Sequence, residues 1–346
     1  MSRLALSYVL PLRADDVDDE LVRYVLDLAV HVEDVIVVDG SDPEVFDEHH
    51  RSWDGPVRHL RATVDVPNGK VANVCTGLLE ARHEVVVVAD DDVRWDRPLL
   101  EQALRRIEGA GIVRPQNRFV PAPWHARWDT GRSLIHRALG GDWPGTLVVR
   151  RALLPDGYAG DCMFENLEMV RTAVANGGRE VVALDLVVPR RPPTTRKFVE
   201  QRVRQAYDEL ARPPYLLAEL ALAPAVLVGG RRAAAAIGLG AVALAELGRR
   251  RAGGREVWPA AASLWAIPWT AERAVTAWLA MVARARGGVV FGGTRFVHAA
   301  HRHPRRRAGD DQAEAGSTSR TKASHSSRSG RHRARTRSWP MPSSST

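Results

Sequence analysis

The stretch Val85-Val-Val-Val-Ala-Asp90-Asp91-Asp92 constrains this chain more than any other. Four valines in succession fit a strand buried on both faces, because a half-exposed strand would alternate apolar with polar residues. Comparable runs lie at Leu4 to Leu10, Val35 to Val38 and Gly111 to Val113. Helical spacing fills the intervals: Leu21, Val25, Leu28 and Ala29, then about Lys70 to Ala81, then Leu99 to Ile107. Buried strands alternating with helices predict an α/β sandwich with a mostly parallel sheet over roughly the first two hundred residues.

The remaining sequence divides into two further zones. After Pro213-Pro214 the chain is almost wholly Ala, Leu, Val and Gly from Tyr215 to Gly230 and from Ala233 to Leu247, and a third apolar region, Val257 to Ala283, carries four tryptophans. The first two runs are shorter than the roughly 20 residues a membrane span needs. Glu219, Arg231-Arg232 and Glu272-Arg273 interrupt them. These helices therefore read as tight or tilted membrane spans, as a hairpin seated at the bilayer surface, or as a buried helical subdomain. From about His301 onward the sequence is Ser, Arg, Thr, Gly and His without periodicity, which predicts disorder. The expected divisions are 1–212, 213–298 and 299–346.

Charge follows the same divisions. The chain of 346 residues has a formal net charge of +8, and the residues from His301 to Thr346 account for all of it. The folded part is neutral, so specific nucleic-acid binding is not expected of it, and a tail-mediated version would depend steeply on salt. With 45% hydrophobic residues the chain has ample material for a core. Its two cysteines, Cys75 and Cys162, are too few for a disulfide scaffold and fit a reducing compartment.

Chemistry is expected at the strand ends. In open α/β sheets ligands bind beyond the carboxyl ends of strands. Three adjoining carboxylates there repel one another until a cation or solvent relieves them, and hard divalent ions such as Mg²⁺ or Mn²⁺ take oxygen ligands and bridge phosphates. Asp90 and Asp92 are the candidate metal ligands, with Asp91 between them. Asp39 closes another strand and leads into Gly40-Ser41-Asp42; its carboxylate can accept from a nucleobase or ribose, or close an Asx-turn. Asn68-Gly69-Lys70 opens a helix, where Lys70 offers charge to a phosphate. Trp124, Trp128 and Trp143, with Arg127 and Arg132, lie in a Pro-rich stretch that either lines an acceptor groove or packs a loop. His49-His50 and the group His298, His301 and His303 read as solvated surface.

In order and spacing these elements resemble the family 2 glycosyltransferases of GT-A fold, in their membrane-associated type. The matching segments are Val9-Leu10-Pro11, Val37-Val-Asp39-Gly-Ser41, Asn68-Gly-Lys70 with Asn73, and Asp90-Asp91-Asp92. Downstream, Gly145 to Arg151, Phe164-Glu165-Asn166 ahead of Gly177, Gln201-Arg-Val-Arg204-Gln205 and Val290 to Phe296 continue the likeness. The resemblance implies a Rossmann-like nucleotide-sugar domain followed by hydrophobic helices. It implies a nucleotide-diphospho-sugar donor, most commonly a UDP-sugar, held by Asp39, Ser41, Lys70, Asp90, Asp91, Gln201 and Arg204, with Mg²⁺ or Mn²⁺ on Asp90 and Asp92. Transfer to a hydroxyl of a lipid or glycan acceptor would invert the sugar, at the cell membrane with the catalytic domain on the cytoplasmic side. Two positions depart from the pattern. Asn166 replaces the usual Asp base, and an amide cannot take a proton at neutral pH, which shifts the expectation to Glu165, with Glu168 and Asp161 in reserve. Gln205 replaces a Trp. The competing readings are a sugar-phosphate nucleotidyltransferase, which should carry a Gly-rich loop that Val9 to Arg13 lacks, and a catalytically silent scaffold with the same fold.

Overall fold

The computed structural model describes residues 2–53 and 55–302. Seven strands form the main sheet: β1 (Leu4–Leu12), β2 (Val32–Asp39), β3 (Arg58–Leu60), β4 (Val85–Ala89), β5 (Ile112–Phe119), β6 (Thr146–Arg150) and β7 (Glu180–Arg190). Their spatial order is β3-β2-β1-β4-β6-β5-β7. β1 runs parallel to β2 and β4, while β6 is antiparallel to both of its neighbours. β7 pairs in parallel with β5. One edge therefore collects the carboxyl ends of β1, β2, β4, β5 and β7 together with the start of β6. Register makes this concrete: Leu12 pairs with Asp39, Ala89 with Thr146 and Phe119 with Arg190.

Helices cover both faces: α1 (Asp19–His31), α2 (Pro43–Ser52), α3 (Gly69–Glu80), α4 (Arg97–Ile107), α5 (Trp124–Ala138) and α6 (Glu165–Ala175). The valines of β4 alternate between the two resulting cores. Val87 and Ala89 join Leu21, Val25 and Leu28 of α1, whereas Val86 and Val88 join Val71, Val74 and Leu78 of α3. This explains why β4 contains no polar residue. The helix starts are fixed by side-chain caps, as Asp18, Asn68 and Asp96 each accept from a backbone N–H of the first turn.

Two short helices, α7 (Thr195–Glu200) and α8 (Arg202–Tyr207), lead into α9 (Pro213–Arg250), then α10 (Gly254–Val257), α11 (Ala266–Ala285) and a hairpin of β8 (Val289–Phe291) and β9 (Thr294–Phe296). Among the described residues α9 is the one helix long and apolar enough to cross a bilayer. It is not straight. A continuous helix of this length would run about 57 Å, yet both ends reach the same place: Tyr215 Oη donates to Leu139 O, and the Arg251 guanidinium donates to Arg137 O and Ala138 O. The reversal is at Gly230, whose φ of 58° and ψ of −144° break the helix. α9 is thus two antiparallel arms. Their roots bury Leu216, Ala241 and Ala245, while Leu217, Leu227, Val228 and Leu239 remain exposed. Beyond the sheet, the end of the described chain is also packed: Ala299 is buried and its carbonyl accepts from Phe164 N, so order continues past residue 298. The basic tail expected beyond it lies outside the described residues.

Candidate active site

A cleft of about 920 Å³ opens over the strand-end edge. Its sheet-side wall carries Asp90, Asp91 and Asp92 just past β4, Lys70 in the first turn of α3 and Glu165 at the start of α6. Its opposite wall comes from α7, α8 and the turn after them, with Lys197, Gln201, Arg204, Gln205, Asp208 and Arg212, and from α11 and the β8–β9 hairpin, with Arg273, Phe291 and Phe296.

The acids on the sheet side already face cations. Lys70 Nζ lies 2.6 Å from Asp90 Oδ1 and 2.6 Å from Glu165 Oε1. Burial favours a neutral lysine, but the two carboxylates outweigh it and raise the Lys70 pKa. Arg190, the last residue of β7, donates from Nε to both oxygens of Asp92 at 2.9 Å and from a terminal nitrogen to Asp90 Oδ2 at 3.4 Å. Burial raises the Asp92 pKa; Arg190 pulls it back, and the charges of Asp90 and Asp91 add to the rise. Gly145 packs tightly beside this cluster, so that any side chain there would displace it. A Cβ there would sit 2.7 Å from Asp90 Oδ2 and 3.0 Å from Arg190 Cζ.

Asp39 and Ser41 lie apart from the cleft surface. Asp39 is 0% exposed, and its Oδ2 is 2.8 Å from His49 Nδ1 and 3.1 Å from His59 Nε2, while Oδ1 accepts from Ser41 N at 2.8 Å. Burial opposes its ionisation, but these hydrogen bonds prevail and hold its pKa well below the usual carboxylate range. Ser41 Oγ accepts from Ala14 N. Gly40, between them, faces the cleft. The expected contact of the Asp39 carboxylate with a nucleobase or ribose is therefore replaced by an internal Asp–His cluster. His49 is correspondingly buried instead of solvated.

Glu168 also falls away from the cleft. Three helical residues rotate a side chain roughly 60° off the face of Glu165, and this turns Glu168 under the 298–302 segment. It is 0% exposed, and His301 N donates to its carboxylate at 2.8 Å. Asp161 likewise faces His301, at 3.4 Å. Of the three acids considered as base, Glu165 alone faces the cleft. Asn166 donates from Nδ2 to Pro144 O, closing the floor beside it.

The indole of Trp143 lines the cleft, whereas Trp124 and Trp128 pack against Phe198 of α7. Arg132 lines it as well, tied to Asp142 at 2.9 Å. Several lining groups escape a reading from sequence. Arg190 follows the β-branched pair Val187-Val188, a legible strand end; Arg273 is visible only as an interruption in an apolar helix. Asp208 and Arg212 have no signal beyond lying after the Gln201–Arg204 segment.

Residues 19–150 match the glycosyl transferase family 2 model. The chain carries a family 2 glycosyltransferase domain. No curated protein sequence matches it. A solved mannosyltransferase from Pyrobaculum calidifontis, in complex with GDP-Man and Mn²⁺, is similar over 82% of this chain and 87% of its own, with 19% identity and a TM-score of 0.50. Glucosyl-3-phosphoglycerate synthase of M. tuberculosis covers 55% of this chain and 73% of its own at 19% identity and a TM-score of 0.38. Mannosyl-3-phosphoglycerate synthase from Rubrobacter xylanophilus covers 57% and 70% at 16% identity and a TM-score of 0.37. At these identities the likeness to the mannosyltransferase is one of fold, and that fold is GT-A. The glycosyltransferase domain thus places its Asp90–Asp92 triplet at the edge where the sheet ends.

Proposed function

We propose that this glycosyltransferase moves a sugar from a nucleotide-diphospho-sugar to a hydroxyl of a membrane-associated acceptor, with inversion at the anomeric carbon. The observation that carries the reading is the convergence of Asp90, Asp92, Lys70 and Glu165 on one cleft whose far wall brings Gln201 and Arg204. The acidic pair fits a divalent ion. Two carboxylates already converge on one cationic group, Arg190, and they offer hard oxygen donors. Mg²⁺ or Mn²⁺ held by Asp90 and Asp92 would supply neutralisation of the charge that grows on the departing diphosphate.

The remaining chemistry belongs to the chain itself. Glu165 is the general base: it takes the acceptor hydroxyl proton as the new C–O bond forms, while the electron pair of the broken bond leaves with the nucleoside diphosphate. Lys70 holds the Glu165 carboxylate in place at 2.6 Å, and it contributes positive charge beside Asp90. A nucleotide-sugar donor accords with the GDP-Man bound to the mannosyltransferase of similar fold. The nucleobase contact falls to the Gly40 and Ala62–Val64 side of the cleft, since the Asp39 carboxylate is sealed.

Membrane association rests on the two arms of α9 and on α11, whose exposed Leu227, Val228, Leu239 and Val275 would lie against a bilayer surface with the catalytic cleft on the cytoplasmic side. The test is incubation of the full-length protein with membrane lipids, Mn²⁺ and a panel of labelled UDP- and GDP-sugars. Label entering the organic phase supports the reading; donor turnover confined to the aqueous phase would reject the membrane acceptor.

A further inference from the structure

The two walls of the cleft differ in how their charges are matched, and the helical wall has cations left over. Arg273 of α11 is 1% exposed and lines the cleft, yet its Nε and one terminal nitrogen make no hydrogen bond; its ion-pair partner among the described residues is Glu219, 3.5 Å from Nε. Arg204 rests on the ring of Phe291, 4.2 Å from the centroid, with no carboxylate in an ion pair among the described residues. Lys197, exposed at the rim, has no acidic partner among them either. Arg212 pairs with Glu209, but its Nε is buried without a partner. The acids on this wall do not balance the account. Glu209 is taken by Arg212, Asp129 is held by Arg202 at 2.7 Å, and Asp208 is kept protonated near neutrality because burial and nearby Glu165 push its pKa up to about 8.

A neutral acceptor would leave these guanidinium donors unmatched in a partly desolvated cleft, which is costly. A tetrahedral dianion would satisfy them, since guanidinium forks suit phosphate oxygens. We propose that Lys197, Arg204 and Arg273 form a phosphate-binding subsite for the acceptor, so that the hydroxyl activated by Glu165 belongs to a phosphorylated molecule. This rests on the glycosyl-transfer reading and names the acceptor class for that site. Such a phosphate could belong to a soluble metabolite or to a lipid headgroup, and the exposed apolar arms rooted on the same helices leave either one access.

Calorimetry on the full-length protein separates these cases. Inorganic phosphate is titrated into protein alone and into protein saturated with Mn²⁺ and UDP, or Mn²⁺ and GDP. The expected result is phosphate binding in every case, weakened about tenfold or more by Arg273→Gln and several-fold by Lys197→Gln, with nucleoside diphosphate affinity unchanged. Lys197 is exposed, so its variant folds even if loss of Arg273 disturbs packing. Exclusion of phosphate by bound UDP or GDP, equal weakening of diphosphate binding by the variants, or no phosphate binding at all would overturn the subsite. Failure of both UDP and GDP to bind would count against the nucleotide-sugar reading while leaving the phosphate titration of the free protein interpretable. Glycerol 3-phosphate and short-chain phosphatidic acid, each competed against inorganic phosphate, assign the source; competition by neither rejects the subsite.

Discussion

The sheet wall and the helical wall of the cleft carry similar numbers of ionisable groups and use them in opposite ways. On the sheet wall Asp90, Asp92 and Glu165 are each matched to Lys70 or Arg190 within the chain. On the helical wall Lys197 and Arg204 line the cleft without an ion pair among the described residues, Arg273 is buried with two nitrogens that make no hydrogen bond, and burial raises the pKa of Asp208 to about 8. The difference follows from backbone placement. The segment that follows β4 bridges to the end of β7, Val93 pairing with Arg190, which brings Arg190 within reach of Asp90 and Asp92, whereas the cations of α7, α8 and α11 project into the cleft. A matched wall must exchange partners when a ligand arrives; an unmatched wall is ready to receive one.

The largest expected effect tests the matched wall. Glu165→Gln lowers sugar transfer by about 10² to 10⁴ while nucleoside diphosphate binding persists, measured as label transfer beside calorimetry; near-normal transfer would remove Glu165 as base. The helical wall continues outward into the α9 arms, and Leu227→Asp with Val228→Asp should reduce vesicle binding about a thousandfold, since each exposed side chain contributes about 2 kcal/mol on burial in an apolar phase and about 1.4 kcal/mol is a factor of ten. Co-sedimentation with liposomes checks this, and unchanged binding would place the membrane contact elsewhere. Arg190→Gln sharpens the contrast between the walls. If Arg190 occupies the acids until a divalent ion arrives, the variant binds Mn²⁺ about tenfold more tightly in the absence of nucleotide. Looser binding would instead make Arg190 a support for the acidic pair.

The smallest effect is thermal. The Asp208 pKa is raised from an ordinary 3.8 to about 8, so between these values the folded state keeps a proton that the unfolded state has released. Its contribution to stability is therefore present at about pH 4 and is lost as pH rises toward 8. Asp208→Asn removes that loss. The melting temperature of the variant relative to the unaltered protein should rise by a few degrees across this window, and a constant difference would show that Asp208 ionises normally.

Much of the sheet wall was legible in the sequence because its signals are local. Val85 to Ala89 is unbroken by polarity, Asn68 caps α3 in place, and the acids stand immediately after their strand. What was hidden depends on long-range pairing. β6 reverses direction between β4 and β5, and nothing in Thr146 to Arg150 encodes strand direction. His49 is buried because it partners Asp39, ten residues earlier on another element. Glu168 turns from the cleft because the 298–302 segment returns across α6. The α9 arms look like interrupted spans in sequence, and only the dihedral angles of Gly230 show that the helix folds back. Arg273 reads as a defect in an apolar helix until the cleft beside it is seen.

The central claim is that Asp90 and Asp92 hold a divalent ion which grips a donor's diphosphate at the sheet edge. Titration of UDP and GDP into the protein with Mn²⁺, with EDTA, and into Asp92→Asn with Mn²⁺ tests it most directly. The account predicts binding of at least one nucleotide only where Mn²⁺ and Asp92 are both present; equal affinity in all three conditions would contradict it.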